Sequence, residues 1–213
     1  NTVVSAAFTE DITTSEKGSE STRYPDGGSG MNTGAFYLSY AHTFKKLIAK
    51  IGGRYNYNNL QARFIDSSFV ALPFMSINTT SQAFSGNLGI VYLPTKNFKS
   101  NLNISTGFRS PNIDDFGKVF KKGDFVVIPN NEIAPEYAYS AELGFSKTFQ
   151  REYHSNGINI YKVNFLTIGA TGFCTVLDNA IIREDYELNG LDSLIYEGEN
   201  RKIQTNINAE QAI

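Results

Sequence analysis

Strict two-residue alternation of apolar and polar side chains, recurring in five stretches between Phe36 and Ser146, is the feature that most restricts what this sequence can fold into. Phe36, Leu38, Tyr40, His42 and Phe44 alternate with Tyr37, Ser39, Ala41 and Thr43. After a very short turn at Lys45 and Lys46, the series Leu47, Ala49, Ile51, Gly53, Tyr55 and Tyr57 alternates with Ile48, Lys50, Gly52, Arg54, Asn56 and Asn58. The same rhythm returns in Phe84 to Leu93, in Asn101 to Arg109 and in Tyr137 to Ser146. A period of two is that of a pleated strand, and each strand so read has one apolar and one polar face.

How the strands are joined narrows the choice. Short turns at Lys45, at Pro94 to Asn97 and at Gln150 alternate with long loops at 9–33, 65–83, 110–136 and 178–201, so every long loop falls on one side. The expectation is an all-β fold, an antiparallel up-and-down meander of about eight strands, of the kind that builds large transmembrane β-barrels. The polar face would line a watery lumen and the apolar face would meet lipid, with Tyr55, Tyr57, Tyr92, Tyr137 and Tyr139 in the interfacial belts. A soluble barrel or sandwich with the apolar face turned inward, around a small hydrophobic ligand, fits the alternation equally well. Asn156-Gly157 is a tight-turn signal. Residues 158–177 can be read in either register, with a bulge near Gly169 or Gly172 able to switch it.

Composition excludes several classes. A formal net charge of -2 leaves no basic footprint for nucleic acid. No apolar run approaches the roughly 18 residues of a transmembrane helix, which leaves a membrane β-barrel untouched as an option. The single cysteine, Cys174, cannot form a disulfide within the chain and reads as a small packed hydrophobe. His42 and His154 lie in different hairpins without a second metal ligand at useful spacing, and the series Asp185, Glu187, Asn189 misses a calcium loop because its last position falls on Tyr196. No cofactor or metal site is expected. No nucleophile, base and acid assemble, so an outer-membrane barrel enzyme is the weakest of the alternatives and the chain is not expected to be an enzyme.

The loop between Arg109 and Tyr137 is the richest in chemistry. Arg109 stands on the polar face at a strand end, where its guanidinium could hold a carboxylate or phosphate bidentately or form a structural ion pair with a lumen carboxylate such as Glu142. Asp114, Asp115, Lys118, Asn130, Asn131 and Glu132 complete the candidate ligand-binding set. Pro111 and Pro135 restrict the backbone at entry and exit.

The motifs of this loop, GFRSPNIDDFGKVF followed by VVIPNNEIAPEYAYSAELGFSKTF, resemble the C-terminal barrel region of TonB-dependent outer-membrane receptors, particularly those of Bacteroidetes-type bacteria. The resemblance rests on Gly107, Phe108, Arg109, Pro111 and Asn112, and on Pro129 to Glu136, where Ile133 stands for the usual leucine. TRYPDGG, Gly89 to Thr95 and GFCTVLDNAIIRED are similar in matching order, so the likeness covers most of Thr22 to Ala212. It implies a roughly 22-stranded barrel around a plug domain. It further implies import of a scarce nutrient in the bacterial outer membrane, energised by the TonB complex, with lipid, plug and an unidentified nutrient as partners. Residues 1–213 are then a partial β-barrel domain, since about eight strands leave two unpaired edges that lipid does not tolerate. The native polypeptide is accordingly expected to be longer than this 23.6 kDa chain; mass measurement of the natural product checks this, and a product of that mass would refute it.

Overall fold

A computed structural model describes residues 2–13, 24–65, 70–155 and 159–212, with backbone alone described for 2–13, 154–155, 159–161 and 211–212. The alternating stretches are eight long antiparallel strands: β1 (Thr2–Thr13), β2 (Ser29–Phe44), β3 (Leu47–Arg63), β4 (Ser76–Thr95), β5 (Phe98–Arg109), β8 (Glu136–Ser155), β9 (Asn159–Asp185) and β11 (Glu199–Ala212). The third and last long connections carry three short strands, β6 (Phe120–Lys122), β7 (Phe125–Ile128) and β10 (Ser193–Tyr196), and one helical turn, α1 (Ile113–Phe116). All strands form one 11-stranded sheet in the order β1-β2-β3-β4-β5-β8-β9-β11-β7-β6, with β10 beside β11. The eight long strands follow chain order, which is the expected meander. Among the described residues the sheet does not close, and β1 pairs with β2 alone.

Several boundaries differ from the alternation-based reading. β4 begins at Ser76, inside the stretch expected to be loop, and β9 runs on to Asp185. Gln150 is not a turn residue but lies within β8, whose ladder with β9 continues to Ser155↔Asn159. The Asn156-Gly157 signal lies outside the described residues. The register of β9 is set by a bulge at Phe165, opposite the Phe149/Gln150 step, and not at Gly169 or Gly172. An extra residue there turns one side chain out of the ladder and preserves the faces on either side. In the last long loop, Glu197 and Gly198 take φ of 52° and 81° and close a tight hairpin between β10 and β11.

The two faces are unlike. On one, Phe36 (49% exposed), Ile51, Phe84 (77%), Leu88, Ile104, Leu143 and Phe145 have no protein over them. Cys174 belongs to this open face, beside Ala141, and is therefore exposed, not packed as expected. The other face carries Ser39, Gly52, Asn87, Ser105, Ser140 and Thr175 in one continuous cross-strand row. Such a row is what water wets. The apolar band from Leu47 to Tyr55 on β3 and from Phe84 to Tyr92 on β4 matches the roughly nine to eleven residues that a tilted strand needs to cross hydrocarbon. The row Phe44, Leu47, Tyr92, Ser100, Phe145 and Ala170 ends the band on β2 to β4. On β8 and β9 the band continues past that row, through Phe149, Leu166 and Ile168. A band that slides along successive strands is the stagger that strand tilt imposes on a barrel.

Beyond the band, toward the long loops, the polarity of β2 to β4 inverts. The open face now bears Asn59, Gln61, Asn78 and Thr80, whose amides and hydroxyl bond one another. The opposite face buries Leu60, Ala62 and Ile77. These pack with Phe64, Phe116 and Ile133 into one cluster, while Val70, Val119, Val126, Ile128, Leu188, Tyr196 and Ile203 form a second. The long loops thus fold into a cap with its own hydrophobic interior. Phe116→Ala, which empties a fully buried site, is expected to weaken the cap by about 3–5 kcal/mol. Amide exchange should then speed up at Leu60 to Phe64, which pack against it, and stay unchanged at Ile90 and Leu143 in the wall.

Candidate functional site

The 110–135 connection is built from the bottom up by one capping arrangement. Asn112 accepts from the backbone N–H of Asp114 and Asp115, and the Asp115 carboxylate accepts in return from the Asn112 N–H, a reciprocal cap that starts α1. Arg109 then donates to both oxygens of Asp115, at 2.8 and 2.9 Å. The guanidinium at the end of β5 therefore has Asp115 as its ion-pair partner, not Glu142, which accepts from Asn101 instead. A partner six residues along is closer than one across the ladder because the helical turn folds back over the strand end.

Asp114 accepts from Tyr24 at 2.9 Å and from Lys118 at 3.0 Å. Lys118 also lies 5.6 Å over the Tyr24 ring and 5.2 Å over that of Phe120. The Lys118 hydrogen bond holds the Asp114 carboxyl below its ordinary value, against an opposing push from partial burial, with Tyr24 and the Lys118 charge adding to the lowering. Asn130 donates to the Asn206 carbonyl and accepts from the Glu132 N–H. The candidate residues are thus brought together in pairs: Arg109 with Asp115, Asp114 with Lys118, and Asn130 with the backbone. Asn131 and Glu132 point outward, exposed.

β7 completes the arrangement by pairing in parallel with β11, Val126 against Ile203 and Ile128 against Thr205. Buried Arg201 donates to the Gly123 carbonyl at 2.5 Å and pairs with Glu199, fastening the β6–β7 turn to β11. Asn206 and Asn208 donate to the Asp115 and Ala134 carbonyls. Arg201, Asn206 and Asn208 were not distinguishable in sequence, where they sit in an ordinary polar run; the Asn112-to-Asp115 spacing of the reciprocal cap was legible. Below the cap, on the polar face, Tyr37, Ser39, Lys50, Gly52, Arg54, Ser85 and Asn87 line a shallow trough of about 360 Å³. Among the described residues no group of His, Cys, Asp or Glu is placed to hold a metal ion.

The sequence profile of the TonB dependent receptor-like β-barrel matches residues 3–208. The chain belongs to this family. Among solved structures, the Serratia marcescens hemophore receptor HasR, a double mutant in complex with its hemophore HasA and heme, superposes with a TM-score of 0.70 over 99% of this chain and 37% of that one, at 14% identity. This likeness shows the fold. Two Haemophilus influenzae proteins are similar in sequence: hemoglobin-binding protein A, 38% identical over 53 residues, and hemoglobin and hemoglobin-haptoglobin-binding protein C, 26% identical over 121. The chain spans 5% and 11% of their lengths and 25% and 55% of its own. TonB-dependent receptors are outer-membrane transport proteins and not enzymes, and the open apolar face is the lipid-facing wall of such a barrel.

A carboxyl held below its unfolded value adds stability above that value, and this contribution is lost as pH falls through the folded one. Lys118→Met should raise the Asp114 titration toward the ordinary carboxylate range, so that less of the α1 turn's stability is lost below about pH 4. Titration of the Asp114 side-chain carboxyl by NMR checks this; an unchanged midpoint would refute it.

Proposed function

We propose that the chain is the partial barrel of a nutrient transporter whose long-loop cap captures ligand outside the cell. In this reading a plug domain elsewhere in the protein sits against the polar face, and the TonB complex supplies the energy for uptake. The observation that carries it is the gathering of the long connections at one end, packed on two hydrophobic clusters, so that a firm surface faces the direction from which ligand arrives. On that surface Asn131 and Glu132 are the exposed polar contacts, and Arg109, Asp114, Asp115, Lys118 and Asn130 hold the loop in shape through their mutual bonds while presenting their remaining polar atoms.

The ligand proposed is a heme-carrying protein, supported by the hemoglobin-binding relatives, and the reaction class is binding and translocation without covalent chemistry. A broad cap suits a protein ligand better than a deep pocket would, since the polar trough of about 360 Å³ lies well below it. The narrower kinship with Bacteroidetes-type receptors rests on the GFR-x-P-N and P-N-x-x-I-x-P-E motifs alone and stands as part of this proposal. Cells carrying the full-length protein should bind hemoglobin and grow on it as iron source only with a working TonB. Replacing residues 118–127 by a short Gly-Ser linker should weaken hemoglobin binding at least about tenfold, as loss of an interface centre does, with the barrel still heat-modifiable on gels. Growth without TonB would overturn the energised reading, and unaltered binding would overturn capture by the cap.

A further inference from the structure

The lipid-facing side of the β8–β9 hairpin contains two cations where the band is otherwise apolar. Outward residues of β8 run Phe145, Lys147, Phe149, Arg151 and Tyr153, and their partners on β9 are Ala170, Ile168, Leu166, Val163 and Tyr161. Both cations are exposed, and among the described residues neither has a carboxylate partner. The one nearby acid, Glu152, is on the other face and pairs with Lys162 at 2.7 Å. Arg151 lies 5.8 Å over the ring of the bulged Phe165. The neighbouring turn is fastened to the hairpin next to Lys96: Thr148 N–H donates to the Asn97 carbonyl and Asn97 donates to Gln150.

A basic side chain facing lipid is costly at the midplane and nearly free at the interface, so Lys147 and Arg151 extend along their aliphatic stems to the nearer edge of the membrane, at the short-turn end. That end lies on the periplasmic side, where the leaflet is phospholipid. We propose that Lys147, Arg151 and Lys96 form a binding site for an anionic phospholipid, its phosphate held by the guanidinium and the two ammonium groups and its acyl chains lying along Phe145, Phe149, Leu166 and Ile168. Charge complementarity selects this occupant, because two cations on a lipid-facing wall and a third in the adjoining turn, none ion-paired among the described residues, are matched by a headgroup of net negative charge and not by a zwitterion. The β8–β9 hairpin reaches past Phe98, the first residue of β5, and so presents the site below its neighbours.

The test is native mass spectrometry of the full-length protein, purified in non-ionic detergent and given equimolar phosphatidylglycerol and phosphatidylcholine. Wild type should retain phosphatidylglycerol preferentially and lose the preference in high salt. Lys147→Gln with Arg151→Gln should reduce it by roughly 25-fold, from about fivefold for each basic residue at a lipid surface. Lys121→Gln with Lys122→Gln, the same charge change in the cap, should leave it intact, and Lys147→Arg with Arg151→Lys should keep it, which separates charge from folding. Equal retention of the two lipids by wild type, an undiminished preference in the glutamine variant, or a lipid-free dimer that depends on Lys147 would each overturn the site.

Discussion

A peptide N–H or C=O that faces hydrocarbon has no water to bond, and each one left unpaired costs several kcal/mol. Every other property of this chain is arranged around that constraint. Within the apolar band the β2–β3, β3–β4, β5–β8 and β8–β9 ladders run on, the β4–β5 ladder stops at Asn87↔Ser105 where the Thr106 hydroxyl accepts from the Gly86 N–H, and the irregularity on β9, the bulge at Phe165, lies low on the hairpin near the short-turn edge. Side chains in the band are free to be whatever lipid or lumen requires, because the backbone is satisfied by neighbouring strands. Glycine can therefore replace bulk on the inner side, as at Gly144, where an added Cβ would fall 2.8 Å from the Asn101 amide oxygen. Asn101 uses that space to reach Glu142.

Above the band the balance of forces changes. Lipid no longer surrounds the strands, so burial of apolar surface again separates protein from water, and the inner side chains of β3 and β4 become Leu60, Ala62 and Ile77. Irregular backbone is tolerated there because water and side chains can satisfy it, which is why α1, β6, β7 and β10 all occur at this end. Wall and cap are held by different physics: the wall by hydrogen bonds between strands, the cap by two small hydrophobic clusters and the ion pairs around them.

The alternation in sequence was enough to find β2 to β5 and β8, their order and the long connections at one end, because lipid exposure writes an apolar residue at nearly every second position, whereas Thr9 to Thr13 of β1 fell inside a span expected to be loop. It failed where lipid does not reach. Ser76 to Gln82 offers Ile77 alone as an apolar residue, so the first turns of β4 carried no periodic signal, although Asn78 and Thr80 are as regularly placed as any residue in the band. The hairpin of β10 and β11 was hidden in a polar stretch whose Glu197-Gly198 turn is a weaker signature than Asn-Gly. The ambiguity of β9 came from side chains such as Phe165 and Phe173, which are apolar yet stand off the lipid-facing row. Arg109 was visible as an ion-pairing residue, but its partner depended on a helical turn that brings Asp115 back over the strand, and the pairing of β7 with β11 depended on residues about 77 positions apart.

That parallel pairing has a geometric consequence. β7 occupies the edge of β11 from Lys202 to Thr205, on the side away from β9, Asn130 donates to the Asn206 carbonyl next to it, and among the described residues no strand pairs with Asn208 to Ala212 on that side. A further strand added to the wall can hydrogen-bond only below Thr205, so the folded loop acts as a stop that sets how high the next rung of the ladder can climb. Moving that stop by two residues would shift the neighbouring strand against the membrane without altering a single residue in the band.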